Sequence, residues 1–280
     1  GSDQTVENVY LELIQEETLA LVVESGSGKY TTGRSIRSLE ERSDGDVSLD
    51  GYDVIRLDTT GLRNMRKSVQ MIFQDPFSSL NPRMTVGTAI SEPFIKHRLG
   101  TTKQAKEKTA DLLEKVGLSA DMAGRYPHEF SGGQRQRIAI ARALALDPKV
   151  IVADESVSAL DVLIKAQVCN LLLDLQQSLN LAFLFISHDM AVVERVSHRV
   201  AVMYLGEIVE IGPRAAVFDN PQHAYTKKLM AAVPVPDPAR RGIRRSVSND
   251  ELKSPIRPMG YEAPERTYRA VSPGHFVQVA

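Results

Sequence analysis

The chain has 280 residues, with 34 lysines and arginines against 35 aspartates and glutamates and a formal net charge of -1. This balance gives no global attraction to nucleic acid or anionic lipid, and the apolar runs are far shorter than the roughly 20 residues that span a bilayer. A single cysteine, Cys169, excludes an internal disulfide and a cysteine-built cluster, which fits a reducing cytoplasm and a role in core packing.

In chain order, hydrophobic periodicity predicts strands and helices in alternation from residue 9 to residue 211. The predicted strands cover 9–14, 19–23, 46–50, 69–73, 149–153, 182–187, 199–204 and 207–211. The predicted helices cover 28–38, 61–66, 86–97, 103–116, 132–146, 162–179 and 189–196. The residues after 233 hold seven of the 14 prolines and a cluster of arginines, which favours an extended or poorly ordered arm.

The first motif follows the second predicted strand and leads into a helix, the context that a phosphate-binding loop needs. Gly26 and Gly28 would let backbone N–H groups face phosphate, and Lys29 would reach the β- and γ-phosphates. The pattern G-x-x-x-x-G-K-[ST] is incomplete, because its first glycine is Val23 and its terminal hydroxyl residue is Tyr30. A tyrosine ring occupies the place of the metal and its waters, so we expect weakened Mg·ATP binding at this loop.

A second motif combines a turn and a pair of acids. Ser131, Gly132 and Gly133 open the helix at 132–146, where backbone N–H groups and the positive helix end can face an anion. The next predicted strand delivers Asp154 and Glu155 to the carboxyl edge of the sheet, where ligands bind in open α/β folds. The sequence therefore predicts an anion or nucleotide site built from several segments.

The Ser-Gly-Gly-Gln turn followed by a strand that ends in Asp-Glu resembles the ATP-binding-cassette (ABC) ATPase family. The resemblance implies an α/β P-loop NTPase fold with an inserted helical subdomain. Its ATP-binding core, RecA-like with antiparallel strands, would cover 1–73 and 132–212. The helical subdomain would cover 74–131, and a peptide-importer-type C-terminal extension with a Pro/Arg-rich tail would cover 213–280.

The resemblance also implies a role for each matching residue, with ATP and Mg²⁺ as cofactors. Lys29, Glu155 and His188 would be catalytic, with Glu155 as the general base and His188 at the γ-phosphate. Asp154 and Gln74 would serve the metal, and Gln74 is the counterpart of the family's Q-loop residue. The nucleotide would be bound by Glu24, Ser25, Gly26, Ser27, Gly28, Lys29, Tyr30, Thr31, Gln74, Ser131, Gly132, Gly133 and Gln134.

Three further segments bear on this resemblance. The segment 158–161 resembles the D-loop that crosses a dimer interface, and Ser156 stands where the family usually has proline. In this geometry Ser131, Gly132 and Gly133 would serve the ATP site of the partner domain. The family's adenine-stacking aromatic residue would lie at or before Gly1, so we expect the chain to begin after that platform, as in a truncated protein or the second half of a tandem one.

The segment 218–234 resembles the N-P-x-H-P-Y-T region of the oligopeptide/dipeptide importer ATPases, with Ala224 in place of a proline. The stretches 190–213 and 272–277 further resemble glutathione-importing members. These likenesses imply an ATP-hydrolysing subunit that powers peptide or glutathione import, peripheral at the cytoplasmic face of the inner membrane. Its expected partners are a second ABC ATPase domain, two membrane permease subunits and, indirectly, a substrate-binding protein, without nucleic acid.

Two interpretations of this subunit stay open. Intact Glu155 and His188 favour a hydrolysing motor, whereas Val23 and Tyr30 favour a degenerate-site subunit that binds nucleotide weakly and hydrolyses little or none. A third class, the DNA-repair and chromosome ATPases, shares the Ser-Gly-Gly-Gln turn. The absence of a long heptad insertion, of zinc cysteines and of a basic surplus disfavours it.

Overall fold

The computed structural model describes residues 11–23, 48–49, 52–53, 57–232 and 266–279, which divide into two compact units. The central unit contains the described residues within 13–18 and 33–186. The C-terminal unit contains those within 11–12, 19–32 and 187–279. The predicted domain boundaries at 73, 131 and 212 do not coincide with this division and stay predictions.

The elements are numbered in chain order. The described strands are β1 (Thr18–Val23), β2 (Ser48–Leu49), β3 (Tyr52–Asp53), β4 (Val69–Ile72), β5 (Val150–Asp154), β6 (Ala182–Ser187), β7 (Arg199–Tyr204), β8 (Glu207–Pro213), β9 (Thr267–Ser272) and β10 (His275–Val279). The described helices are α1 (Thr59–Ser68), α2 (Pro76–Ser79), α3 (Val86–Lys96), α4 (Thr102–Lys115), α5 (Gly132–Leu144), α6 (Val162–Leu179), α7 (Met190–Val196), α8 (Arg214–Asp219) and α9 (Ala224–Ala232). Two 3₁₀ turns, Ala120–Gly124 and Pro127–Glu129, lie between α4 and α5.

Three parallel strands form the sheet of the central unit in the order β4, β5, β6. Ile72 pairs with Ala153, and Asp154 pairs with Ile186. These strands are almost entirely buried, as expected of parallel strands covered on both faces. The continuous apolar runs at 69–73, 149–153 and 182–187 therefore predicted them correctly.

The helices of the central unit bury apolar faces. Helix α5 is rich in alanine and branched aliphatic residues, and Ile138, Ile140 and Ala141 are fully buried. Helix α6 contains Cys169, which is buried and forms no disulfide, as its expected packing role requires. The helix ends at Asn180, whose left-handed φ of 52° is a common way to close a helix.

The sheet of the C-terminal unit is mixed, in the order β1, β7, β8, β10, β9. Strand β1 pairs with β7 in parallel, and the remaining neighbours are antiparallel. Leu205 and Gly206, with φ values of 52° and 86°, join β7 to β8 through the two-residue turn that suits twisted strands. Parallel strands with helices in one unit and a mixed sheet in the other confirm the α/β class.

The described end of the C-terminal tail, residues 266–279, differs from the prediction of an extended or poorly ordered arm, whereas residues 233–265 lie outside the described residues. Its last described residues form the hairpin β9–β10, and β10 pairs with β8 through Phe276–Ile211 and Val277–Glu210. Pro273 fixes φ at the first corner position, and Gly274 supplies a φ of 72° at the second. The proline content that indicated disorder thus includes a turn-forming proline.

The prediction of a strand at 9–14 is wrong for its described part, residues 11–14. Glu17 donates its backbone N–H to the carbonyl of Ile14 at 3.1 Å, and Ile14 donates its N–H to the Glu17 carboxylate at 3.1 Å. The chain therefore turns here, with Glu16 at a φ of 62°. The sequence also did not indicate the short helices α2, α8 and α9. No described helix has the combination of length and apolar composition needed to cross a bilayer.

Candidate functional site

The end of β5 carries three consecutive buried polar residues. Asp154, Glu155 and Ser156 are each at most 3% exposed. Glu155 adopts a left-handed φ of 44°, which is uncommon for a residue with a side chain and is typical of functional sites. Its N–H donates to the Ile186 carbonyl at 2.9 Å, and its carbonyl accepts from the Ser158 N–H and hydroxyl at 3.0 and 2.9 Å. These backbone contacts hold the strained conformation.

Gln74 lies at the same edge of the sheet as this acidic pair. Ile72 is the last residue of β4 and pairs with Ala153 in parallel register. Gln74 and Glu155 therefore both lie two residues beyond that pair. Because parallel strands end at a common edge, the sheet brings the predicted metal residues Gln74 and Asp154 to one side.

The predicted Ser-Gly-Gly-Gln turn is the N-terminus of α5. The Ser131 hydroxyl accepts from the Gln134 N–H at 3.3 Å, and the Gln134 side chain accepts from the Ser131 N–H at 3.0 Å. This reciprocal capping box pairs the N–H groups of Ser131 and Gln134 within the turn and fixes the exposed start of the helix. Anion binding by the turn stays a prediction.

The two glycines of the turn have different steric roles. A Cβ added to Gly133 would lie 2.5 Å from a methyl carbon of Ile164 in α6, far inside normal contact distance, so close packing between α5 and α6 requires glycine there. A Cβ added to Gly132 would meet no other described residue within 4 Å. Within the described part of the chain, neither packing nor a positive φ explains the glycine at 132, which leaves room for another molecule to approach.

A buried arginine supports the approach to the turn. Arg135 donates through Nε to the Pro127 carbonyl at 2.7 Å and through its guanidinium to the His128 carbonyl at 3.3 Å. The aromatic ring of Phe130 is 4% exposed and anchors the same segment. The turn is thus fixed from the residues before it as well as by its own cap.

One cavity of about 250 Å³ connects the Q-loop segment, the Ser-Gly-Gly-Gln helix and the segment after Glu155. We call it the Q-loop cavity and define it by its lining residues, Gln74, Asp75, Pro76, Gly132, Gln136, Ser156, Ala159 and Leu160. Two of these, Gln74 and Gly132, are site residues predicted from the sequence. Gln136 is not among the predicted residues, although a polar residue on the apolar face of α5, one turn before Ile140, is a visible signal.

The remaining predicted site residues fall in three places. The phosphate loop, Glu24 to Thr31 with Lys29 and Tyr30, lies outside the described residues. Val23 is the last residue of β1, is 1% exposed and pairs with Met203. His188 is exposed and precedes α7, whose first N–H groups are capped by Asp189. His188 belongs to the C-terminal unit, so its action together with Glu155 stays a prediction.

The donor atoms at the β5 edge suit a hard cation. Mg²⁺ binds carboxylate and amide oxygens, and in nucleotide enzymes it uses one or two carboxylates together with phosphates and water. Asp154 and Glu155 offer carboxylates, and Gln74 offers an amide oxygen. Among the described residues no group of three or more His, Cys, Asp or Glu side chains forms a metal centre by itself. These residues therefore fit a metal ion that is bound jointly by the protein and a nucleotide.

Comparison with known proteins supports the interpretation of this edge of the sheet as part of a nucleotide site. The chain is 58% identical over 272 residues to the glutathione import ATP-binding protein GsiA of Salmonella typhimurium, and 57% identical to that of Escherichia coli. Each alignment covers 97% of this chain and 44% of the relative, so the chain spans less than half the length of these relatives. Residues 209–256 match the family model of the oligopeptide/dipeptide transporter C-terminal region.

Solved structures share the fold. The structure of cbiO1 from Clostridium perfringens, part of the ABC transporter complex cbiONQ, superposes with a TM-score of 0.70 at 24% identity, covering 77% of this chain and 84% of that one. A dimeric ATP-binding cassette in a post-hydrolysis state, bound to ADP and Pi, superposes with a TM-score of 0.67 at 28% identity, covering 75% and 90%.

The predicted P-loop NTPase cassette fold is thereby confirmed, and the family follows from the sequence match. The ABC transporter family model covers residues 6–158, which is more than half of the chain and includes both the Gly-Lys loop and the Asp154–Glu155 pair. The chain therefore belongs to the ABC transporter family.

Proposed function

We propose that this chain is a nucleotide-binding subunit that binds and hydrolyses Mg·ATP to power an ABC importer for peptides, including glutathione-like ones. The observation that carries the proposal is the common position of three motifs around one cavity. Gln74, Gly132 and Ser156, the neighbour of Glu155, all line the Q-loop cavity. Gln74 and Ser156 meet there at the carboxyl edge of the parallel strands, where ligands bind in open α/β folds, and this supports a nucleotide site beside the partner-facing turn of Gly132.

Each residue type suits its proposed task. Lys29 and the backbone of 24–31 would bind the phosphates, and Asp154 would hold Mg²⁺ through water. Mg²⁺ supplies neutralisation of charge on the β- and γ-phosphates when it is bound. Glu155 would accept a proton from the attacking water, and its burial at 3% exposed keeps competing solvent away. His188 would contact the γ-phosphate from the segment before α7.

Two features favour a second ATPase domain as partner, either a copy of this chain or a related one. Gly132 leaves its face of the Ser-Gly-Gly-Gln turn open. Val162 and Leu163, directly after the D-loop segment, are 82% and 78% exposed, which is unusual for large apolar side chains at a helix start. A partner domain that covers the turn and these two side chains would bury this apolar surface and bring the turn to the partner's nucleotide.

The importer assignment depends on the relatives. The C-terminal match to oligopeptide/dipeptide transporters and the names of the glutathione import proteins favour peptide-type cargo. Two membrane permease subunits would carry the cargo, with a substrate-binding protein acting through them. The chain itself would then be a peripheral protein at the cytoplasmic face of the cell membrane.

A first experiment measures Mg·ATP binding and turnover by the purified chain. Glu155→Gln should lower turnover by at least about 100-fold and leave ATP binding nearly unchanged, because it removes the general base alone. Glu114→Gln, an exposed acid on α4, is the matched control and should leave both quantities unchanged. Equal turnover in the Glu155→Gln variant and the original chain would overturn the proposed function.

The degenerate-site alternative rests on Tyr30 more than on Val23. Val23 lies in a strand and is fully buried, so a side chain at this position requires no unusual backbone conformation. Tyr30→Ser should restore a metal ligand and raise Mg-dependent binding if the tyrosine blocks the metal, whereas Val23→Gly should give no gain. Turnover that appears only with Tyr30→Ser would establish the degenerate-site function.

A second experiment tests the cargo. The half of the Escherichia coli glutathione import protein that aligns with this chain is replaced by residues 1–280, and glutathione uptake by the cells is measured. Uptake that depends on Glu155 supports the peptide-importer assignment. Loss of uptake despite normal ATP turnover by the purified chain would restrict the proposal to an ATPase with a different cargo.

A further inference from the structure

Two buried polar side chains face the Q-loop cavity without a partner among the described residues. Gln136 on α5 is 1% exposed, and neither its amide nitrogen nor its amide oxygen is hydrogen-bonded there. Ser156 is 2% exposed, and its hydroxyl is likewise unpaired within the described chain. Buried polar atoms in folded proteins are nearly always paired with protein or with ordered water.

The cavity has both the room and the chemistry for ordered water. A water molecule in the liquid occupies about 30 Å³ and needs two to four polar partners, and the Q-loop cavity has a volume of about 250 Å³. The amide of Gln136 offers donors and an acceptor, and the hydroxyl of Ser156 offers one donor and two acceptor sites. Gln74 and Asp75 line the same cavity.

We propose that Gln136 and Ser156 hold ordered water in the Q-loop cavity, and that Gln136 is thereby a positioning residue for ATP hydrolysis. Gln136 belongs to the helix of the Ser-Gly-Gly-Gln turn, and Ser156 directly follows the strained residue Glu155. The water links these two segments to the Q-loop residue Gln74 across the cavity. The kinetic part of this proposal rests on the function proposed above, whereas the water site does not.

The family usually has proline where this chain has Ser156. A proline side chain has no hydroxyl, so the second polar partner of the water is a property of this chain and of relatives with a polar residue there. Ser156→Thr keeps the hydroxyl and adds one methyl group at the wall of a cavity of about 250 Å³. Ser156→Ala removes the hydroxyl with little change in shape. The two variants therefore separate hydrogen bonding from packing.

The water site is tested by crystal structures of the nucleotide-free chain at a resolution that shows ordered water. We expect water within hydrogen-bond distance of both the Gln136 amide and the Ser156 hydroxyl, and its loss in Gln136→Met. A Gln136 amide paired directly with protein atoms, or a cavity without ordered water, would overturn the proposal. This test involves no ATP and so is independent of the proposed function.

The positioning role is tested by a kinetic cycle in whichever chain turns over ATP, the original or Tyr30→Ser. Gln136→Met should lower kcat roughly tenfold with KM for ATP changed less than about twofold. Ser156→Ala should lower kcat less than Gln136→Met does, and Ser156→Thr should not lower it. The double variant Gln136→Met/Ser156→Ala should be no slower than Gln136→Met alone, because both side chains bind the same water.

Thr109→Val is the matched control for the cycle. Thr109 is buried in the same unit, and its hydroxyl already donates to the Ala105 carbonyl at 2.8 Å within α4. We expect it to leave kcat unchanged and to combine additively with Gln136→Met. Fully additive losses from Gln136→Met and Ser156→Ala would overturn the shared-water link. Absence of turnover in every chain would refute the proposed function and leave the crystallographic test to decide the water site.

Discussion

The two units of this protein each contain a buried polar cluster, and the clusters differ in how completely they are paired. In the C-terminal unit, Glu210 is 0% exposed and accepts three hydrogen bonds at 2.8 Å, from the N–H groups of Gln222 and His223 and from the ring of His275. We call these four residues the Glu210 cluster. In the central unit, Gln136 and Ser156 lie in the Q-loop cavity without such partners in the described chain.

This contrast distinguishes buried polar groups that stabilise the fold, as in the Glu210 cluster, from buried polar groups that are available to a ligand, as in the Q-loop cavity. The Glu210 cluster connects β8, the loop before α9 and β10, and its internal pairing compensates for the loss of water around a buried carboxylate. Gly212 permits this approach, because a Cβ there would lie 2.9 Å from the His275 ring. In the Q-loop cavity, Gln136 and Ser156 instead keep polar atoms that no described residue pairs, as expected where water or a ligand is bound.

Among the substitutions that test this comparison, we expect the largest loss of stability from one in the Glu210 cluster. Glu210→Ala removes the shared acceptor of three donors from a fully buried position and should lower the free energy of unfolding by about 3–5 kcal/mol. Urea denaturation measures the loss, and hydrogen exchange at the Gln222 and His223 amides locates it. Glu194→Ala, an exposed acid on α7, is the control and should change stability by less than about 0.5 kcal/mol. A similar small change for Glu210→Ala would refute the structural role.

A smaller loss of stability is expected from substitutions of two buried glutamines in the central unit. Gln176 on α6 is 3% exposed and donates to the Thr18 hydroxyl at 2.8 Å, whereas Gln136 faces the cavity. Gln176→Met should cost about 1–2 kcal/mol in unfolding free energy, because it breaks a direct bond between protein groups. Gln136→Met should cost at most half as much, since it releases water. Equal costs would show that the two glutamines are paired alike.

The smallest effect is a pH dependence in the C-terminal unit. Burial lowers the pKa of His223 below its usual 6.5, and the nearby Glu210 carboxylate opposes this shift. The folded state therefore binds fewer protons than the unfolded state below about pH 6.5, so stability is present above that pH and is lost as the pH falls. The His223 ring also accepts the Tyr225 N–H through Nδ1 at 3.2 Å, which requires an unprotonated nitrogen.

Urea unfolding between about pH 7.5 and pH 5.5 checks this dependence. His223→Asn keeps an acceptor for the Tyr225 N–H without a titrating ring, so it should flatten the decline in stability toward low pH. His198→Asn, an exposed histidine of the same unit, should leave the decline unchanged. An unchanged slope in His223→Asn would contradict the assignment.

Local sequence patterns predicted most of the secondary-structure elements that form the site. The apolar run before Asp154 predicted β5, and the Ser-Gly-Gly turn at 131–133 predicted the start of α5, because both signals depend on neighbours a few residues away. The hairpin at 267–279 was missed, although Pro273-Gly274 is a turn signal. Its partner β8 lies far back in the sequence, so pairing depended on contacts that periodicity does not contain.

The sequence by itself determined the family motifs and the element types, since spacing, caps and periodicity are short-range properties. It did not determine the state of the buried polar groups. Glu210 looks like an ordinary strand acid and Gln136 like an ordinary helix residue in the sequence. Only the tertiary structure decided that Glu210 is fully paired and that Gln136 faces a cavity, because partners for a buried group come from segments that folding alone brings together.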